Sequence, residues 1–108
     1  MSGRTVAEPQ TISDPIPQKE KLYHVLILND DDHTFDYVIE MLQAVFGLSQ
    51  ANAMACTMEA DATGSSIVHT SGLEEAEHKR DQVHAYGPDW RLPRSRGPVS
   101  ALVEPAAE

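Results

Sequence analysis

Apolar and polar positions change abruptly near residue 28. Residues 22–28 form a short run that includes Tyr23, Val25 and Ile27, bounded on both sides by polar clusters. Such a run reads as a buried strand. Asn29, Asp30, Asp31 and Asp32 follow at once, and unpaired carboxylates are too costly to desolvate for an interior position. They therefore belong at the strand's end, facing water or a cation. Beyond them, Phe35, Val38, Met41, Leu42, Val45 and Phe46 recur at i, i+3, i+6, i+7, i+10 and i+11. This is the apolar stripe of an amphipathic helix over residues 34–46. Asp32 or Thr34 is placed to cap it, Asp36 suits the positive end of its dipole, and Gly47 supplies the stop.

Ser49 opens a second helix that runs to Thr63 and stops at Gly64. Its inner face is Ala53, Cys56, Thr57 and Ala60. These side chains are small, so the helix lies close to its neighbour or leaves space beside it. Met54 and Met58 flank that face and read as ordinary packing. Residues 65–70 predict a second strand. Ser71, with Glu74 three residues on, has the form of a capping box for a third helix with the stripe Leu73, Ala76, Val83 and Tyr86. On that helix Glu74 pairs with His78 and Glu75 with Lys79 at i, i+4. Gly87-Pro88 ends it. Residues 89–97 form a loop holding Trp90, Arg91, Arg94 and Arg96, expected to pack over an acidic face. Residues 98–103 predict the last strand. Residues 1–20, with Pro9, Pro15 and Pro17, read as a disordered tail. The folded domain is then 21–105, with 106–108 as the C-terminal end. The order β-α-α-β-α-β implies an α+β two-layer sandwich, a small three-stranded antiparallel sheet packed against three helices.

Composition narrows the partners. Seventeen acids against eight bases give a formal charge of −9, which argues against nucleic acid and for cationic partners. Cys56 is the single cysteine, so no internal disulfide forms and a reducing compartment, the cytoplasm, is expected. No apolar run approaches the roughly 20 residues that span a bilayer, so no membrane association is expected, and there is no signal-peptide h-region. Calcium loops alternate their oxygen ligands around a glycine, a pattern that residues 29–33 lack. The five histidines make no zinc pattern. His24 and His69, on adjacent strands, could oppose one another as a packing pair. No glycine-rich phosphate loop, serine elbow or acid–base carboxylate pair stands out, so neither catalysis, nor a metal, nor a cofactor is expected. What remains is a strand delivering acids to one point ahead of a helix, suited to holding a positive group.

The run Asn29-Asp30-Asp31 between strand and helix, followed by Phe35 and by Tyr37-Val38-Ile39-Glu40-Met41-Leu42-Gln43, resembles the ClpS family of adaptors for the Clp proteases. The similarity continues through Ala53, Gly64, Glu74-x-Ala76-Glu77-x-Lys79 and Pro98 into the last strand, covering residues 20–105. The resemblance implies a monomeric, non-enzymatic adaptor that carries N-degrons, proteins with a bulky apolar first residue and a free α-amino group, to a Clp AAA+ unfoldase. It assigns the α-amino group to Asn29 and Asp30, and to Asp61, which stands where the family has a histidine. The side-chain pocket falls to His33, Phe35, Thr57, Ala60 and Val99, and the unfoldase contact to Glu74 and Lys79. Thr57 and Ala60 replace methionine-like and valine-like positions, Thr34 replaces a proline, and the loop before the last strand is longer than the family's. The alternative is an acidic module of the same fold that regulates the unfoldase without binding N-degrons. A third reading is a metal-dependent enzyme built on Asp30, Asp31 and His69.

Overall fold

The computed structural model describes residues 21–106; the expected tail and the last two residues lie outside them. Three strands and three helices follow in the expected order: β1 (Tyr23–Leu28), α1 (Phe35–Phe46), α2 (Gln50–Thr63), β2 (Ser65–Ser71), α3 (Leu73–Ala85) and β3 (Ala101–Pro105). The sheet is antiparallel with order β2-β1-β3. The most apolar strand thus takes the centre, where both of its edges are paired. Alternation along β1 turns Val25 and Ile27 into the core. Val38, Met41, Leu42 and Val45 of α1, Ala53 and Ala60 of α2, and Ala76 and Val83 of α3 meet them there. The opposite face, with Ile67 and Leu102 in register beside Leu26, is left open.

Local chemistry sets most boundaries. Thr34 Oγ1 accepts from the Tyr37 N–H at 3.1 Å, and Ser49 Oγ from the Asn52 N–H at 3.1 Å. Gly47 and Gly64 end α1 and α2 in the left-handed region, at φ 68° and 101°, where a Cβ is disfavoured. The third helix departs from expectation. Its N-cap is Gly72, with no side-chain cap, and the Ser71 hydroxyl donates to the Gly72 carbonyl instead. The capping box is therefore absent. The expected surface pairs are not formed either. Glu75 holds His69 at 2.8 Å, and Lys79 Nζ donates to the Val45 carbonyl at 2.8 Å, at the negative end of α1.

Two further expectations are corrected by strand geometry. A β-bulge between Val25 and Leu26 pairs Val25 with His69 but Leu26 with Ile67, leaving Val68 as the extra residue. His24 consequently sits opposite Thr70, whose Oγ1 is 2.8 Å from its Nδ1, and not opposite His69. The last strand begins at Ala101, not at residue 98. Pro98 has no N–H to give to a ladder, and Ser100 contributes its carbonyl to the Leu28 N–H at 3.0 Å. At the far end the strand continues through Glu104 and Pro105, a proline tolerated on an edge. Ala106 N–H then bonds the Leu22 carbonyl.

Candidate functional site

Where β1 ends, the Asn29 N–H donates to the Gly64 carbonyl at 3.0 Å. That bond draws the last turn of α2, which carries Ala60 and Asp61, up to the acids that follow β1. A cavity of about 600 Å³ opens at this junction. Asn29, Asp30, Asp61, His33, Phe35, Thr57, Ala60 and Val99 all border it. Its floor is apolar, with Ile27, Val38 and Val99 drawn from three elements. The small inner face expected of α2 leaves its space here. Ala60 and Thr57 are buried, and the Thr57 hydroxyl is satisfied within the helix by the Ala53 carbonyl at 2.8 Å. Phe35 is 47% exposed and stands at the rim rather than in the core stripe. Met54 and Met58 are exposed on the outer side of α2.

The polar end of the cavity is internally ordered. Asp30 Oδ1 accepts the Asp32 N–H at 2.9 Å, an Asx turn that fixes the path of the acidic segment. The same carboxylate faces His33 Nδ1 at 2.8 Å. His33 Nε2 meets the Gly97 carbonyl, also at 2.8 Å, and its ring lies 4.8 Å from that of Tyr37. Both ring nitrogens therefore face oxygen atoms. His33 is thus the tie between Asp30 and the loop before β3, as well as a lining residue. Tyr37 is buried behind it and donates its hydroxyl to the Gly87 carbonyl. Burial pushes this phenol up to about 12.

The loop is held by a residue that sequence reasoning passed over. Asp89 is fully buried and accepts from the Thr34 N–H at 2.6 Å and the Arg91 N–H at 3.0 Å. Burial alone would raise its carboxyl, but the hydrogen bonds from Thr34 and Arg91 outweigh it and hold the group below its ordinary value. Arg91 in turn reaches Glu40 at 2.7 Å, which raises the guanidinium. Arg94 Nε donates to the Asp31 carbonyl at 3.0 Å and lies 3.4 Å from the Asp32 carboxylate. The basic loop does pack over an acidic face, as its composition suggested. Leu92 and Arg94 thereby join the cavity wall, a placement that no period in an irregular loop could signal.

Glu74 and Lys79 lie on α3, outside the cavity lining; Glu74 is exposed and Lys79 half-buried. Asp30 and Asp31 border the cavity, whereas His69 turns to Glu75 and the Phe46 ring, 5.6 Å away. Among the described residues no group of three His, Cys, Asp or Glu side chains is arranged to hold a metal. No helix among them is long and apolar enough to cross a membrane.

Comparisons with known proteins agree with this arrangement. The family described as ATP-dependent Clp protease adaptor protein ClpS matches residues 18–91. The ATP-dependent Clp protease adapter protein ClpS of Nautilia profundicola is 39% identical over 85 residues, 78% of this chain and 81% of its own length. That of Acetivibrio thermocellus is 30% identical over 105 residues, 97% of this chain and 99% of its own. Among solved structures, Agrobacterium tumefaciens ClpS2 bound to L-phenylalaninamide superposes with a TM-score of 0.71 at 30% identity, covering 82% of this chain and all (100%) of that one. The element order, the cavity beside the Asn-Asp-Asp turn and these matches lead to one conclusion: the chain belongs to the ClpS family of adaptors of the ATP-dependent Clp protease.

Proposed function

We propose that the cavity binds the N-terminal residue of N-degron substrates, and that the protein delivers them to a Clp AAA+ unfoldase. The carrying observation is that Asn29, Asp30 and Asp61, with their amide and carboxylate groups, border the same cavity as the apolar floor. An α-ammonium needs hydrogen-bond acceptors and negative charge, which these three side chains offer. A bulky apolar side chain needs a dry, concave surface, which Val38, Thr57, Ala60 and Val99 offer with Phe35 at the rim. A cavity of roughly 150 Å³ holds a benzene, so about 600 Å³ accepts any natural aromatic side chain. The related ClpS2 binds L-phenylalaninamide, a free α-amino group carrying an aromatic side chain. In this reading Glu74 and Lys79 touch the unfoldase, the protein acts as a cytoplasmic monomer, and it performs no chemistry of its own.

Fluorescence anisotropy with three peptides tests the reading. One begins with Phe, the second is the same peptide with its N-terminus acetylated, and the third begins with Ser. The first should bind; acetylation removes the charge and the second should not, and the third should bind much more weakly. Equal binding of the acetylated peptide would overturn the role of the acids. Binding to a Clp unfoldase with no affinity for any of the three would overturn N-degron recognition altogether.

A further inference from the structure

One N-terminal residue does not use the whole cavity. An aromatic ring takes a fraction of about 600 Å³, and its α-amino group belongs at the acidic end. The part of the wall built by Leu92 and Arg94 from the loop before β3 then remains unassigned. We propose that Leu92 and Arg94 form a second subsite, which reads the residue following the N-terminal one and favours an acidic side chain over a basic one. This rests on the N-degron reading above.

Three features support it. Arg94 supplies the guanidinium in a lining whose charged groups are otherwise Asp30, Asp31 and Asp61, so it places a positive group at one point of the rim. The group is positioned in advance. Arg94 bonds the Asp31 carbonyl through Nε and one Nη, which leaves the second Nη with its two N–H donors for a ligand. The loop that carries it is itself anchored at three points: Asp89 on Thr34, Arg91 on Glu40, and Gly97 on His33. A group fixed before binding loses little freedom on contact. Finally, the Arg94 side chain is 62% exposed, so it is open to solvent at the cavity wall and accessible to a chain that extends out of it. Leu92, half-buried beside it, offers the stem of the second side chain an apolar surface.

The neighbouring acids act in the opposite sense, since Asp31, Asp32 and Asp61 attract a basic second residue. The informative quantity is therefore the change in preference when Arg94 is altered. Three peptides beginning Phe-Glu, Phe-Gln and Phe-Lys, otherwise identical, are titrated by anisotropy into wild type, Arg94→Gln and Arg94→Lys. An exposed charge pair changes affinity by roughly 1.4- to 5-fold per contact. Arg94→Gln should accordingly lower the ratio of Phe-Glu to Phe-Lys affinity by about two- to fivefold, and Arg94→Lys should retain most of that ratio. If Arg94 merely ties down the acidic turn, Arg94→Gln weakens all three peptides alike; an unchanged ratio with Phe-Gln still bound overturns the second subsite and leaves the N-degron reading intact. Failure of every Phe-initiated peptide to bind wild type overturns both.

Discussion

In the proposed N-degron reading, Asp61 is the residue on which ligand chemistry turns. It occupies the last turn of α2, exposed to solvent and bordering the cavity with Asn29 and Asp30. A carboxylate brings two acceptor oxygens and a full charge to an ammonium, where a neutral imidazole brings one lone pair. Because Asp61 is exposed, its gain is that of a solvated pair, about 0.2–1 kcal/mol. Asp61→Ala should therefore weaken a Phe-initiated peptide by roughly 1.4- to 5-fold, read by anisotropy. Tighter binding by Asp61→His would mean that the carboxylate does not serve the α-amino group. Asp89 acts at the same scale but on stability. Asp89→Ala leaves the N–H groups of Thr34 and Arg91 without their acceptor, and an unsatisfied buried donor costs about 1–3 kcal/mol, measurable by urea unfolding. Its carboxyl lies below the ordinary 3.8 when folded, despite the upward push of burial, because those hydrogen bonds outweigh it. The folded state thus binds this proton less readily than the unfolded chain. The contribution is complete above 3.8 and is lost as pH falls through the lower folded value. Wild type and Asp89→Ala should converge in acid; a gap that stays constant from neutral pH into acid would contradict the carboxylate's role.

At the scale of elements, three helices of comparable length begin in three different ways. The first has a double cap: Thr34 accepts from Tyr37 by its side chain, while its own N–H is taken by Asp89 from the far loop. That second bond is the one a capping-box glutamate would accept locally, and Tyr37 stands at that position instead. The second helix has a simple serine cap. The third has none, because Ser71 spends its hydroxyl on the Gly72 carbonyl. Ser49→Ala should cost about 1 kcal/mol of unfolding free energy. Ser71→Ala should cost no more than a few tenths, like a surface substitution. Equal losses for the two in chemical denaturation would show that Ser71 does cap α3. The loop between α3 and β3 is an element too, although it has no regular structure. Its hydrogen bonds to Thr34, Glu40 and His33 hold an irregular segment against the cavity, and this is what brings Leu92 and Arg94 to its wall.

At the scale of the molecule, every described residue bordering the cavity lies between Ile27 and Val99. Deleting residues 1–17 should leave peptide affinity unchanged. In the N-degron reading, delivery needs contacts beyond the cavity, so the deletion should slow degradation of a model substrate by the Clp protease; a full degradation rate without these residues would remove that role. The sequence alone determined the elements and their order, since apolar period, the Thr34 and Ser49 caps and the left-handed stops at Gly47 and Gly64 act over a few residues and leave a local mark. It also placed Asn29 and Asp30 at the end of β1, and the family resemblance added His33 and Asp61; all four border one cavity. Only the tertiary structure decided what those groups touch. Asp89 finds Thr34 across 55 residues and His33 finds Gly97 across 64; the bulge at Val68 turns His69 away from His24, and Pro98 delays β3 to Ala101. Such partners depend on how a long loop closes over a finished core. A hydrogen bond between distant residues imposes no period on either of them, and so it cannot be read until the chain has folded.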